Sequence, residues 1–540
     1  MTEPIPHNVG IRRQHFLDEQ KRYAALIEYI ISNWATVRSS RTTEQLADAK
    51  WRYRATTFHL FRFKDLPVEI ITNIFRFVSW MTRNAQEGVK RRLQLTWVCR
   101  QWRQLAIADQ ALWSAIWVED AAPFLRSLMF FDRAGTSLLD LRLGESMAYM
   151  ESFDVSLKLT GSQMEQLMDV VITKAEQIRT LVIVVQSWPP VFVALDRLHR
   201  AGHRMLNLER LEIHRFGSEY IWLGPGYSRQ DYLQAMSVCG GMAPSLRRVC
   251  FSGVDVEWEG SPLTNLTTLD LCGLPPWVQP SLKRFREILI SSPNLRKLVL
   301  DRAGPRLSQD SNYSLDPSYP PIVLPNLNVF VLGSLPSLYA ISLLKIFEAP
   351  NTKDLTLMNM SMEDYGGFIR TLEGKFPLVQ ILTLYALEVT PSPSNKGVVS
   401  RWLISMPWVK LLRLSQLKQF VSESLFDDAR RYHPQGSIAE WPIERAADSR
   451  MLVFPRLKTV EYVKMETRRV VDYARYRANF GQTLNRIYVT IDWIQTLSPA
   501  EKDLLLALGS VWVSNDGGNS EEEQELWRQN GIYDLVYNNN

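Results

Sequence analysis

Two histidines, His199 and His203, stand four residues apart, a spacing that can set two imidazoles on one helix face and hold a divalent metal. No cysteine or carboxylate supplies a third ligand at a suitable spacing, so the pair reads as part of a solvated helix or turn. Asp427 and Asp428 are adjacent, which makes their carboxylates diverge rather than converge for acid–base work. The acidic run Glu521–Glu525 reads as a solvated tail. Cys99, Cys239, Cys250 and Cys272 contain no CxxC pair and form no disulfide framework. Gly224, Gly226, Gly240 and Gly241 follow no phosphate-cradling frame and read as turns. No nucleophile elbow, P-loop or HExxH is present. The expectation is a chain with no catalytic residues, no metal site and no cofactor.

With chemistry set aside, length and patterning carry the argument. A chain of 540 residues exceeds one compact core, because single cores stop growing at about 250–300 residues. It must be several domains or a repeat array. A hydrophobic fraction of 46% and a charged fraction of 22% are ordinary for a globular protein. The net charge of +5 is thinly spread, with its densest basic spots at 12–23 and 90–92. This argues against nucleic-acid binding as a main role. No apolar run approaches the roughly 18–20 residues of a membrane span, and Met1 to Phe16 has no signal-peptide core. Few cysteines suit the reducing cytosol or nucleus.

Residues 12–60 predict helix. Phe16, Tyr23, Leu26, Ile27, Ile30 and Trp34 recur at steps of three and four, on one face. A second helical unit follows over 62–118. Leu66-Pro67 marks a helix start, since proline is tolerated where no N–H is needed, and Glu69 complements the positive helix end. Ile70, Ile74, Phe75 and Val78 make one stripe, and Leu95, Val98, Cys99, Trp102 and Leu105 a second. A polar stretch separates them, and Leu112, Trp113, Ile116 and Trp117 close the unit.

From residue 138 a six-residue frame, apolar-x-x-apolar-x-apolar, returns twelve times. It begins at Leu138, Ile178, Leu208, Leu246, Leu266 and Leu295. It continues at Leu327, Thr352, Val379, Val409, Leu457 and Leu484. The mean step is about 31 residues, slightly above a leucine-rich period. In a strand the fourth and sixth positions share one side. One unit cannot bury that side alone; stacked units bury it together in a parallel sheet. Segments such as Gln166 to Ile178 and Leu282 to Ile290 suit helical returns. The long steps hold residues 420–450, read as an inserted loop or lid, and 221–232, a protruding loop. The fold expected is α/β: N-terminal helices over 1–61, a three-helix module over 62–118, and a leucine-rich-repeat-like solenoid with a curved parallel sheet over 119–497. A polar, acidic tail is expected over 498–540, loosely ordered from Ser514 on, with a short helix at 521–529.

The module resembles an F-box. The family pattern opens Leu-Pro-x-Glu-Ile and then Ile-Phe, here Leu66, Pro67, Glu69, Ile70, Ile74 and Phe75. It continues with an apolar residue and Val-Cys-basic-x-Trp-Arg, here Leu95, Val98, Cys99, Arg100, Trp102 and Arg103, and ends on Leu112-Trp113. The stretch from Trp80 to Arg92 is longer than the commonest form. The helix before the module and the degenerate repeats after it resemble the large fungal set of F-box proteins. The resemblance implies docking to a Skp-family adaptor, and through it to a cullin–RING ubiquitin ligase, with the solenoid choosing a protein substrate. The adaptor-contacting residues it implies are Leu66, Pro67, Glu69, Ile70, Ile74, Phe75, Val78, Leu95, Val98, Cys99, Trp102, Leu112 and Trp113. The alternatives are a non-catalytic scaffold acting without the ligase, and an enzyme with its site near 420–450, for which no motif speaks.

The third and fifth residues of each frame alternate with the buried ones and face the other side of the sheet. The fifth-position row is small or apolar from Val299 to Thr383 and charged toward both ends. A dry centre with a polar rim is how recognition surfaces are built. The expected substrate face is therefore Val299, Val331, Thr356, Ile381 and Thr383, with Arg413 and Arg486 at its edge. The alternative open at this point is that these residues pack beneath the 420–450 insert or the C-terminal tail. A phosphorylated partner would need Arg142, Arg210, Arg248, Arg413 and Arg486 to converge, which depends on the curvature of the solenoid.

Overall fold

A computed structural model describes residues 7–33, 40–60, 66–81, 85–145, 152, 158–216, 234–308, 313, 315, 319–427, 452–514 and 520–536. Loop 221–232 and most of the 420–450 insert lie outside these residues. The chain divides into two compact units, one of residues 1–113 with 133–135, the other of residues 114–132 with 136–540.

The first unit is helical. Helices α1 (His7–Ser32) and α2 (Ser40–Leu60) pack against one another, joined by a 2.8 Å bond from Gln20 Nε2 to Thr57 Oγ1. Helices α3 (Val68–Trp80), α4 (Ala85–Val98) and α5 (Arg100–Ala108) follow, closed by a 3-10 turn at Gln110–Trp113. No described helix is long and apolar enough to cross a membrane.

Among the described residues the second unit is built on a parallel sheet of fourteen strands, hydrogen-bonded in chain order, beside a two-stranded sheet of Ile322–Val323 and Phe347–Glu348. The strands of the larger sheet are β1 (Ala115–Val118), β2 (Leu139–Gly144), β3 (Ile178–Val185), β4 (Arg210–Arg215) and β5 (Arg248–Ser252). Next come β6 (Thr268–Cys272), β7 (Lys297–Asp301), β8 (Val329–Gly333), β9 (Asp354–Met360) and β10 (Ile381–Leu387). The last are β11 (Leu411–Ser415), β12 (Thr459–Val463), β13 (Arg486–Thr490) and β14 (Val511–Ser514). Each of the twelve sequence frames lies on one strand, mostly beginning two residues before it. Two strands of this sheet were not anticipated: β1, inside the stretch assigned to the helical module, and β14, inside the expected polar tail. The described residues of 498–540 include helix Pro499–Leu506, β14 and helix Glu521–Gln529, the last where a short helix was expected.

Register explains why the frame must repeat. Fourth-position residues stand beside one another from strand to strand: Leu211, Val249, Leu269, Leu298, Phe330, Leu355, Leu382, Leu412, Val460 and Ile487. All are fully buried, so each strand completes the core of its neighbours. The sixth positions Leu271, Leu300, Leu357 and Leu384 are buried with them. Leu138 departs from the rule: it opens its frame exposed, beside a register shift at Leu139/Asp140. The returns are short helices such as Gly161–Val171 and Leu282–Ile290. The Pro-Asn pairs entering several strands also stack. Asn326 donates to the Pro293 carbonyl (3.1 Å) and Asn351 to that of Pro325 (2.9 Å). The residue after the strand is left-handed at Gly253 and Gly273, and equally at Arg302, Ser334, Gln416 and Lys464. There the side chain costs about 1–2 kcal/mol.

Candidate functional site: an adaptor-docking face and a groove on the sheet

In the helical unit the residue pattern resolves into an inner and an outer set. Pro67 is the N-cap of α3, its carbonyl accepting from the Ile70 and Ile71 amides. Ile71, Phe75 and Ser79 point inward. Phe75 stacks on Trp102 with centroids 4.9 Å apart. Leu95, Leu112 and Trp113 are buried as well, and the Trp113 indole donates to the Ala106 carbonyl at 2.7 Å. Cys99 is the N-cap of α5, its sulfur accepting from the Trp102 amide, while Arg103 Nε reaches back to the Thr96 carbonyl of α4 (2.8 Å). Arg76 grips Asp109 through two bonds of 2.8 and 2.6 Å. The spacing Val-Cys-Arg-x-Trp-Arg is thus a cap, a core ring and a clamp between α4 and α5.

The outer set is apolar. Ile70 is 45% exposed, Phe77 63% and Met81 66%; with half-buried Ile74 they recur at three to four residues and share one face of α3. Trp80, Trp97, Val98 and Ile107 are exposed too. Clustered exposed apolar side chains of this size mark protein or membrane interaction sites or ligand-binding grooves. Of the thirteen residues expected to touch an adaptor, Pro67, Glu69, Ile70, Val98 and Cys99 are exposed, and Leu66, Ile74, Val78 and Trp102 are half-buried. Phe75, Leu95, Leu112 and Trp113 are corrected: they form the interior and are not surface. Phe77, Trp80, Met81 and Trp97 were missed, although their offset from the inner stripe by one helix side was readable.

On the sheet the expected substrate face must be redrawn. Its central strands are covered by the chain's own C-terminal segment. Leu526, Trp527 and Ile532 form one buried cluster with Val329, Ile381 and Leu411, against which Val331 and Tyr533 pack. Arg413 is held between Glu461 (2.9 Å) and Glu523 (2.7 Å). Burial opposes its charge, but those two carboxylates keep it above the ordinary arginine range. Arg486 pairs with Glu522 at 2.8 Å. Ile381, Val299, Val331, Arg413 and Arg486 are therefore corrected: Ile381 and Val299 are buried, Val331 packs under the tail, and both arginines are engaged. Thr356 and Thr383 are half-buried. For Val331, Ile381, Arg413 and Arg486 the structure adopts the alternative of packing beneath the tail.

At the other end the same sheet face is open. A groove of about 610 Å³ runs over β1 to β4, lined by Trp117, Asp140, Arg142, Arg179, Arg210 and Glu212 among others. Arg142 lies over the Trp117 ring at 4.7 Å, Arg179 Nε bonds Asp140 at 3.1 Å, and Arg210 bonds Glu212 at 2.7 Å. Burial works against the charge of Glu212, yet bonds from His214 and Arg210 hold its pKa at about 2. Two of the five arginines singled out from the sequence, Arg142 and Arg210, line this groove; Arg413 and Arg486 serve the tail. His199 ends a helix and His203 sits in the next 3-10 turn, so they do not share a helix face. Among the described residues no three His, Cys, Asp or Glu side chains gather to hold a metal.

These features define a helical module followed by a unit of strand repeats on one parallel sheet. Residues 63–119 match the F-box-like family, which covers the helical module and β1. No curated protein gives a significant match to the chain.

Proposed function

We propose that the chain is a substrate-recognition subunit of a cullin–RING ubiquitin ligase. In this reading α3 to α5 dock a Skp-family adaptor, and the sheet face over β1 to β4 holds a protein substrate. The observation that carries it is the exposed stripe Ile70, Phe77 and Met81 with Trp97 and Val98, lying within the F-box-like match. Such a surface is costly in water and is stabilised by a partner's apolar face. The groove supports the second half: it presents three arginines and an indole beside two carboxylates, a polar, oriented surface suited to a protein segment with acidic side chains. The chain's own role is to position, with no catalytic step. It acts in the cytosol or nucleus, where its four thiols stay reduced.

The test is capture of the tagged full chain from its cells with and without proteasome inhibition. Expected are adaptor, cullin and RING subunit in both samples, and at least one further protein that accumulates on inhibition. Capture with no adaptor or cullin overturns the reading and favours a scaffold.

A further inference from the structure

The segment covering β8 to β13 is built like a ligand rather than like a further turn of the solenoid. Ser520 caps the helix Glu521–Gln529 by accepting from the Glu523 amide (3.2 Å), and three glutamates fill its first turn. Each carboxylate meets a complementary group on the sheet. Glu521 lies 3.5 Å from Arg486, Glu522 accepts from Tyr488 at 2.5 Å, and Glu523 pairs with Arg413. One turn on, Leu526 and Trp527 enter the apolar strip of Val329, Ile381 and Leu411. The Trp527 indole donates to Asp354 Oδ2 at 3.1 Å, a bond across 173 residues of sequence. Asn530 exchanges a bond with Gln380, and Arg296 caps the Gly531 carbonyl.

The helix adds no strand to the sheet, whose backbone ladder is complete without it. Its ion pairs and apolar contacts fall on outward-facing third- and fifth-position side chains such as Val329, Asp354, Ile381, Leu411, Arg413 and Tyr488, the same face that forms the open groove over β1 to β4. An amphipathic helix laid into a groove by an aromatic anchor is a general mode of protein recognition. A basic pair, an apolar strip and a buried acceptor in fixed order also form a specific complement to it.

We propose that the outward face of β8 to β13 is a docking surface for a partner protein's amphipathic helix, one with an acidic first turn and a tryptophan one turn further on. Residues 520–536 are its intramolecular occupant and are displaced when the partner binds. The internal competitor sets the threshold: a tail docked about 99 parts in 100 lowers the partner's apparent affinity roughly a hundredfold. This goes beyond adaptor docking and does not depend on it, because neither adaptor nor ligase enters the test.

The probe is a fluorescent synthetic copy of residues 520–536, titrated by anisotropy into the full chain. The double variant Leu526→Ala, Trp527→Ala empties the site in cis without altering it. The probe is expected to bind this variant at least tenfold more tightly than the wild type, and to lose at least tenfold when Arg413→Ala and Arg486→Ala are added. A second measurement uses the wild type alone: with excess unlabelled peptide, amides 524–532 should gain hydrogen exchange while those of β9 to β11 stay protected. Equal or absent binding to wild type and double variant overturns the proposal. So does exchange of 524–532 only together with β9 to β11, which would make the helix an inseparable part of the fold.

Discussion

Replacing Asp354 by Asn should tighten the grip of the C-terminal helix, and do so in a pH-dependent way. Asp354 is buried on β9 and faces Trp527, Glu523, Arg413 and Lys297. Burial, reinforced by Glu523, raises its pKa from the ordinary 3.8 to about 7, against the Trp527 bond and the two cations. A carboxyl that is harder to ionise when covered binds more protons in the docked state. Its stabilising share is complete below about pH 4, is lost progressively as pH rises, and is gone above about pH 7. Glu523, raised mainly by burial, acts in the same direction. The interval between 3.8 and 7 corresponds to a ceiling of about 4 kcal/mol. Asparagine keeps a carbonyl acceptor for the Trp527 indole and removes the ionisation. Hydrogen exchange of amides 524–532, corrected for intrinsic rates, reads the opening free energy directly. The variant's gain should approach about 4 kcal/mol at pH 8 and fall to less than half of that at pH 5. A gain equal at both pH values, or a variant helix that opens more readily at pH 8, would refute the reasoning.

Other consequences follow from the two units. Asp109→Ala leaves the Arg76 guanidinium without its bidentate partner and should lower the stability of the helical unit by about 1–3 kcal/mol, read as a fall in its melting temperature. Leu382→Ala opens a cavity in the fourth-position ladder and should cost about 2–5 kcal/mol; exchange should rise in β9 to β11 and leave β2 to β4 unchanged, because strands contact mainly their neighbours. Lys464→Gly relieves a left-handed backbone and should gain up to about 1 kcal/mol by denaturant midpoint. Charge reversal by Arg142→Glu should cut substrate capture at least tenfold while the melting temperature stays at the wild-type value; a loss of capture explained wholly by unfolding would remove the groove from the account.

The sheet was legible because its core positions repeat with a period that no compact fold produces. Leu269, Leu298, Leu355 and Leu382 announce themselves by position alone. The edge strands were not, because Ala115–Val118 and Val511–Ser514 are four residues long and carry no complete frame. In the helical module the apolar residues were visible, but two stripes share α3. Which of them turns inward is decided by the ring of Trp102 meeting Phe75, a contact between helices that spacing along one helix cannot assign. The helix at 521–529 was readable from its capped acidic turn, and its packing on the sheet stood as one of two alternatives, whereas the pairings that dock it were not readable. Nothing in sequence links Trp527 to Asp354 or Glu523 to Arg413, since those pairings rest on geometry set by the whole stack of strands. The dry centre of the fifth-position row was read either as a surface awaiting a partner or as ground for the insert or tail, and Val331 packs under the tail beside the third-position residues Val329, Ile381 and Leu411.

The central claim is that the outer apolar face of α3 and α4 docks an adaptor. Calorimetric titration of a purified Skp-family adaptor into the full chain tests it most directly, with Phe77→Glu and Trp97→Glu introduced together as the comparison. Both side chains are more than half exposed, so the double variant should keep the wild-type melting temperature. Saturable one-to-one binding to the wild type, weakened at least a hundredfold in the variant, is the expected result. Heat of binding unchanged by the two substitutions, or none with the wild type, would contradict the account.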